Sequence, residues 1–415
     1  MRNSPFWWVL IGFMVLLDLY VFQAIKAVMA SAGPKAKTIV FSSYWGISVL
    51  ALIVLILLPY LQFEQLTRIF RSTVFAIIAG LFFAKLIAAL FFLIDDIRRL
   101  VQWTGGKLFS QAREGEVQQG EKISRSVFLS WLGMIAGGGF LSTFIYGFSN
   151  KYNYQLKKVQ LLFENLPASF RGLKVVQISD IHVGSFANKK AVEKGVEKIL
   201  SLNPDLILFT GDLVNNKAEE MDDYADVFNR LSAPLGVYSI LGNHDYGDYI
   251  QWDSKEEKQA NLERLKQLHA ELGWRLLLDE HLPLERNGEK IALLGVQNIS
   301  GKKSFHSYGN LQKAYAGAES YPFKILMSHD PSHWDAEVRK HYSDIDLMLS
   351  GHTHGMQFGV EVPGFKWSPV QYIYKQWAGL YEAGKQKLYV NRGYGFIGYP
   401  GRVGILPEIT LLEFL

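Results

Sequence analysis

Five short polar clusters stand out in the 415-residue chain: Asp180-Ile181-His182, Gly211-Asp212, Gly242-Asn243-His244-Asp245, His329 and Gly351-His352-Thr353-His354-Gly355. They supply carboxylates, imidazoles and an amide oxygen but no sulfur, a set that suits a hard or borderline divalent metal. Asp180 and His182, two apart on an extended segment, point to the same face because the strand period is two. His352 and His354 have the same spacing and either share an ion or splay to two. Glycines beside them let the backbone turn sharply and approach closely. Any one cluster is a weak signal. Together they hold five of the ten histidines, a concentration that scattered surface histidines do not produce.

Each cluster directly follows a short apolar run: Val175–Ser179, Leu206–Thr210, Val237–Leu241, Ile325–Ser328 and Leu347–Ser350. Strands are predicted at 173–179, 205–210, 236–241, 290–297, 323–328, 345–350, 387–391 and 409–414. Amphipathic helices are predicted near 188–202, 218–231, 255–272 and 332–341. The alternation predicts an α/β domain with buried strands. In open α/β sheets ligands bind beyond the carboxyl ends of strands, so the five loops can converge on one site.

The first 150 residues have a different character. They hold 13 Lys/Arg against 7 Asp/Glu, whereas the remaining 265 hold 30 against 32. Four apolar stretches, near 6–25, 39–61, 74–94 and 127–148, approach or exceed the roughly 20 residues that cross a bilayer as helix. The first is too long, and too poor in a small-residue cleavage site, for a removable signal peptide. Asp18 and Lys85 fall at matching depth in the first and third spans, where a mutual pair offsets the cost of each charge. A structural pair is favoured over a polar path or a transporter. Residues 95–126 are predicted to be a polar loop or to include a short amphipathic helix on the membrane surface. The domains are therefore a transmembrane domain of four helices at 1–150 and a soluble domain at 151–415. The loops after spans one and three carry nine Lys/Arg and the other side six, which places the soluble domain outside the cytoplasm by the positive-inside rule. The absence of cysteine removes disulfides and thiolate chemistry. The near balance of 43 basic and 39 acidic residues argues against nucleic acid as the partner.

The ordered set Asp180-x-His182, Gly211-Asp212, Gly242-Asn243-His244-Asp245, His329 and Gly351-His352-x-His354 resembles the signature of the calcineurin-like metallophosphoesterases. The resemblance runs from about Asn165-Leu166-Pro167 to Pro407-Glu408-Ile409. It is nearest to the membrane-associated bacterial subgroup that includes UDP-2,3-diacylglucosamine pyrophosphatases and related phosphodiesterases. Asn391-Arg392-Gly393-Tyr394-Gly395 looks like that subgroup's glycine-rich turn. Met356 departs from its usual glycine, and Tyr246–Asn261 is an unusual polar stretch. The resemblance implies a β-sandwich flanked by helices, with two divalent metals at one edge: manganese first, with iron, zinc or cobalt also accommodated. Asp180, His182 and His354 would hold one metal, Asn243, His329 and His352 the other, and Asp212 would bridge them. A hydroxide between the metals would attack phosphorus in line. His244 would protonate the leaving oxygen, with Asp245 orienting it, and Arg392 would either hold a phosphate oxygen or form a structural ion pair.

The expected protein is an integral inner-membrane phosphohydrolase acting on a phosphoester or pyrophosphate, with a lipid-linked phosphate such as UDP-2,3-diacylglucosamine the favoured substrate. The alternatives are an exported phosphodiesterase or phosphatase for soluble esters and a non-catalytic metal-binding scaffold or sensor. Tyr246, Tyr249 and Trp252 are candidates for a lid. Phe365, Trp367, Tyr372, Tyr374 and Trp377 form either an interfacial patch or the core of a long loop. His269, His281, His306, His333 and His341 are expected at the surface.

Overall fold

The computed structural model describes residues 5–57, 60, 68–109 and 125–415. The chain divides into two compact units, Met1–Tyr146 and Gly147–Leu415.

The first unit contains four helices long and apolar enough to cross a membrane: α1 (Pro5–Val28), α2 (Pro34–Leu57), α3 (Arg68–Phe109) and α4 (Arg125–Tyr146). The third departs from expectation. It spans 42 residues and runs without a break through Asp95 to Phe109, so the apolar helix itself continues where a polar loop or a separate short surface helix was predicted. Its polar end is held by pairs at helical spacing, with Arg98 bonded to Asp95 and to Gln102. Residues 110–124 of the predicted loop lie outside the described residues. Gly137 explains how α3 and α4 approach: a Cβ there would sit 2.4 Å from the Ala84 carbonyl oxygen, so only glycine allows the contact.

Asp18 and Lys85 meet as their depth predicts, with Nζ 2.5 Å from Oδ1. Two further groups on α2, not anticipated from sequence, complete the pair. Ser48 donates to Asp18 at 3.0 Å, and the Tyr44 hydroxyl donates to the Asp18 carbonyl at 2.8 Å. Removing one member of such a buried pair typically costs about 3–5 kcal/mol, because the other charge is left uncompensated. Lys85→Met is therefore expected to lower the thermal stability of the full-length protein in detergent sharply. The double variant Asp18→Asn/Lys85→Met is expected to recover most of the loss. Additive losses would show that the two residues do not interact.

The second unit is a sandwich of two six-stranded sheets. In spatial order the first sheet contains β1 (Gln155–Leu161), β14 (Glu408–Phe414), β2 (Lys174–Ile178), β3 (Leu206–Phe209), β4 (Val237–Ser239) and β5 (Arg275–Leu276). The second contains β12 (Gly379–Ala383), β13 (Gln386–Val390), β9 (Leu347–Ser350), β8 (Lys324–Met327), β7 (Glu289–Gly295) and β6 (Glu280–Arg286). A separate antiparallel pair, β10 (Val360–Val362) and β11 (Phe365–Trp367), joins neither sheet.

Alternation along the strands builds three layers of core. Val175, Leu206 and Leu208 face Ile325, Met327, Leu347 and Leu349 between the sheets. The intervening Ile207 and Phe209 pack outward on Val192, Val196 and Ile199 of α5 (Lys189–Leu200). Leu326 and Met348 do the same with Leu311 and Trp334 on the other side. Covered on both faces, these strands are mostly apolar, β3 (LILF) throughout and β2 (KVVQI) broken by Gln177, each fully buried apolar side chain contributing about 1.5–3 kcal/mol. The β2, β3 and β4 strands run parallel, as do β7, β8 and β9, so their carboxyl ends present the five polar loops together.

Candidate metal centre

The loops converge across the seam between the two sheets. The His329 Nδ1 atom bonds the Thr210 carbonyl at 2.7 Å, and the Gln177 amide donates to the Ser350 carbonyl at 2.9 Å. Asp180, His182 and His354 bring one potential ligand atom each within 4.8 Å of one another, and Asp212, His329 and His352 do likewise. Asp212, a member of the second trio, also reaches the first. Its Oδ2 lies 3.4 Å from His182 Nε2 and 3.2 Å from His329 Nε2. Asn243 joins the second trio through Oδ1, which is 3.1 Å from His329 Nε2 and 2.8 Å from His352 Nδ1. Its amide nitrogen donates to the Tyr249 hydroxyl at 2.7 Å, which fixes the oxygen towards the histidines.

The backbone is strained to achieve this. Asp180, His182, Asp212, His352 and His354 all have positive φ, between 48° and 71°. Non-glycine residues rarely adopt that region, and such strain concentrates where a site over-determines the chain. Gly351 is required for closeness: a Cβ there would lie 1.9 Å from Ser179 Oγ and 2.2 Å from Asp180 Oδ2.

Buried polar atoms without partners indicate that the cluster is built for a cation. Both ring nitrogens of His182 and the Nε2 of His354 are buried with no hydrogen bond, an arrangement that native interiors avoid. Burial holds the His182 imidazolium well below its ordinary pKa, leaving the neutral ring that a metal needs. Burial opposes ionisation of Asp180 and Asp212, yet the neighbouring His354 and His329 outweigh it and keep both carboxyls below the usual range. Burial pulls His329 down, and the Asp212 carboxylate more than offsets this, pushing it up to about 10. The pair thus favours a positive charge between them, whether a proton or a metal ion.

His244 lies beside this cluster, its ring 4.9 Å from that of His182. Its Nδ1 faces the Asn215 carbonyl at 2.8 Å, so that nitrogen carries the hydrogen and Nε2 is the one left to exchange a proton. Asp245 is not the orienting group. It turns inward, and its carboxylate accepts the backbone N–H groups of Asp212, Leu213, Val214 and Gly242 at 2.8–3.3 Å. Burial and the nearby Asp212 push Asp245 up to about 7, against the pull of those donors. It therefore clamps the loop that carries Asp212. A buried N–H that loses its acceptor costs about 1–3 kcal/mol, so Asp245→Ala is expected to destabilise the domain by more than about 3 kcal/mol. Asp245→Asn, which keeps one oxygen, is expected to recover part of it. A loss below about 1 kcal/mol in chemical denaturation would contradict the clamp.

Arg392 is not brought to the cluster. It is 4% exposed and ion-paired to Glu408 and to Glu361, the latter at 2.8 Å, matching the structural alternative. Tyr246 is buried and stacked on Tyr308, and Trp252 bonds the Gly247 carbonyl, so of the three lid candidates only Tyr249 borders the cluster, through its hydroxyl on Asn243. His269 and His333 are fully buried, contrary to expectation. His333 is held by Ser328 at 2.8 Å and Glu337 at 3.0 Å, and His269 packs beside Phe209 and Trp274.

Sequence reasoning missed a support network behind His352. Its Nε2 bonds the Tyr374 hydroxyl at 2.9 Å, and Asp330 lies behind, accepting from Ser300 at 2.5 Å and Ser332 at 2.7 Å. A polar second partner of this kind sets which nitrogen of a metal-binding histidine faces the ion. Asp330 follows a candidate ligand directly, the one signal that marked it. Arg402 was also missed: fully buried, it donates to the backbone carbonyls of His354, Arg392 and Gly395 and ties the 392–395 turn to the site.

Residues 173–356 match the family model "Calcineurin-like phosphoesterase", and residues 1–151 match "Probable Calcineurin-like phosphoesterase, transmembrane domain". The chain belongs to the calcineurin-like metallophosphoesterases. Members of this family hydrolyse phosphoesters with divalent metals, and the four apolar helices make this member a membrane protein. A zebrafish (Danio rerio) "transmembrane protein with metallophosphoesterase domain" is 28% identical over 74% of this chain and 66% of its own length. The metallophosphoesterase YkuE of Bacillus subtilis is 28% identical over 70% of this chain and 97% of its own. The UDP-2,3-diacylglucosamine pyrophosphatase LpxG of Chlamydia trachomatis is 29% identical over 64% of this chain and 92% of its own. The chain thus spans nearly all of two of these relatives and just under two thirds of the zebrafish one.

Proposed function

We propose that this family member is a membrane-anchored, dinuclear-metal phosphohydrolase whose substrate joins a phosphoester or pyrophosphate to a lipid. The observation that carries the reading is a cavity of about 680 Å³ directly over the cluster. His182, Asp212, Asn243, His244, His352 and His354 contribute its polar part, and Phe305, Met356, Val370, Ile373 and Ile397 its apolar walls. A phosphate would sit on the polar part and an apolar group against the walls.

Asp180, His182 and His354 would hold one ion, Asn243, His329 and His352 the second, and Asp212 would serve both. Two divalent ions there would polarise the phosphoryl group and provide an activated water, the two carboxylates leaving a net charge of about +2 that attracts the anion. His244, its Nδ1 fixed by Asn215, delivers the Nε2 proton to the leaving oxygen. Tyr374 and Asp330 keep the His352 ring turned so that Nδ1 faces Asn243. UDP-2,3-diacylglucosamine is the named candidate, supported by likeness to the chlamydial pyrophosphatase.

The test compares UMP release from UDP-2,3-diacylglucosamine with release from UDP-glucosamine, using protein reconstituted in vesicles. Because each buried CH₂ is worth about 0.8 kcal/mol, kcat/KM for the acylated substrate is expected to be higher by at least roughly 100-fold. Equal rates would favour the soluble-ester reading, and no turnover of any phosphoester by metal-loaded protein would favour the sensor. A UDP-lipid is met on the cytoplasmic face, against the nine-to-six charge count. Impermeant maleimide applied to intact cells carrying Lys385→Cys, a side chain 87% exposed, decides between them. Labelling only after lysis supports the UDP-lipid, and labelling before lysis points to exported phosphoesters or translocated lipid pyrophosphates.

A further inference from the structure

The β10–β11 hairpin stands apart from both main sheets and turns an apolar face outward. Val360 and Val362 are 46% and 53% exposed, and Phe365, the cross-strand partner of Val362, is 58% exposed. Strand alternation sends the intervening Glu361 the other way, where Lys157 at 3.1 Å and Arg392 at 2.8 Å neutralise it. The apolar face continues beyond the hairpin. Trp367 donates to the hydroxyl of Tyr372, the most exposed large apolar side chain of the protein's described residues at 77%, and Ile373 beside it is 52% exposed. Single exposed apolar residues are ordinary, whereas a contiguous group marks an interaction surface.

The chain's own connectivity names the occupant. Gly147 is the residue after α4 ends, and its carbonyl accepts the Arg402 N–H at 2.9 Å, while Phe148 packs on Tyr399 with ring centroids 5.5 Å apart. One residue on, the Val403 carbonyl accepts the Gly359 N–H at 2.9 Å, immediately before β10 begins. The root of the hairpin and the point where the chain leaves its last membrane helix are therefore tied to the same short loop, 399–403. Ile397 and Gly398, just before that loop, line the cavity together with Ile373. Tyrosine and tryptophan rings are enriched at membrane interfaces, where one side is apolar and the other wet.

We propose that Val360, Val362, Phe365, Tyr372 and Ile373 dock the catalytic domain onto the bilayer in which α4 ends, setting the cavity mouth against the lipid headgroups. This concerns the surface alone and holds whatever bond the cavity hydrolyses.

The absence of native cysteine makes the test clean. Phe365→Cys and Tyr372→Cys, with Lys313→Cys on the exposed face of the Leu311–Tyr315 helix as reference, are each labelled with a nitrobenzoxadiazole probe in the full-length protein. The protein is reconstituted in phosphatidylcholine vesicles with and without spin-labelled acyl chains. Probes at 365 and 372 are expected to be quenched by the spin-labelled lipid several-fold more than the probe at 313, and to be shielded from iodide. Lipid quenching no greater than at 313 would overturn the proposal. Shielding from both quenchers would also overturn it, by showing that another protein or a second copy covers the face. Hydrolysis of bis(p-nitrophenyl) phosphate, expected to be unchanged because neither residue lines the cavity, confirms that the labelled variants are folded.

Discussion

Asp212→Asn is expected to abolish phosphoester hydrolysis while leaving the domain folded. The carboxylate lies within 3.4 Å of His182 Nε2 and 3.2 Å of His329 Nε2, and its Oδ1 accepts the His244 backbone N–H at 2.8 Å. Asparagine keeps the size and one acceptor but removes the charge that both trios share. A divalent ion supplies several kcal/mol of charge stabilisation in the transition state, so weakening both ions is expected to raise the barrier by about 3–5 kcal/mol. At 1.36 kcal/mol per tenfold, that corresponds to a fall in kcat/KM of roughly 10²- to 10⁴-fold. Both ions are expected to bind more weakly at once, which distinguishes Asp212 from a ligand serving only one of them. Circular dichroism and the thermal midpoint of the metal-free protein should be close to wild type. An Asp212→Asn variant that retains its metal and more than a tenth of its activity would rule out a shared carboxylate.

His244→Ala is expected to behave differently, because His244 contributes no ligand atom to either trio. Positioned general acids typically supply 10²- to 10⁴-fold, so kcat should fall by about that factor with metal content unchanged. The loss should depend on the leaving group. A p-nitrophenolate departs without a proton and should be nearly spared, whereas an alkyl or nucleotidyl leaving group should show the full effect. Asn215 acts only through its backbone carbonyl, so its side-chain variants should perturb the rate far less than His244→Ala. A loss equal for both leaving groups, or loss of bound metal, would show that His244 has a binding rather than a proton-transfer role.

Much of the sandwich was visible in the sequence because its central strands are covered on both faces. β2, β3, β8 and β9 consist of apolar runs ending in polar clusters, and one face of each is packed between the sheets. The edges were not visible for the complementary reason. β1, with sequence QLKKVQL, and β6, EHLPLER, are defined by pairing with β14 and β7 rather than by their own composition. The helix expected over 218–231 breaks into Ala218–Met221 and Ala225–Phe228, separated by the acidic pair Asp222–Asp223. The predicted 332–341 helix forms a wide turn at Trp334–Val338 before Arg339–His341.

Side-chain direction was the least legible property of the site. His244 and Asp245 are neighbours in one tight turn, yet one borders the cavity and the other points into the loop beneath it. Type and spacing placed both at the right loop but could not separate their roles. Arg392 fell in a turn that invites a phosphate-binding role, and only the three-dimensional partners Glu408 and Glu361 account for its charge. Asp330 and Tyr374 lie 44 residues apart, yet the Tyr374 hydroxyl reaches both Asp330 and His352, a relation no linear motif contains.

The central claim is a pair of metal ions held by Asp212 and the six side chains around it. Its most direct test is the metal content of the full-length protein, purified without chelator and measured by plasma mass spectrometry alongside hydrolysis of a phosphodiester. We predict about two divalent transition-metal ions per chain, activity lost on chelation, and activity restored by Mn²⁺ in proportion to the second ion bound. Full activity with fewer than about one ion per chain would contradict the dinuclear centre.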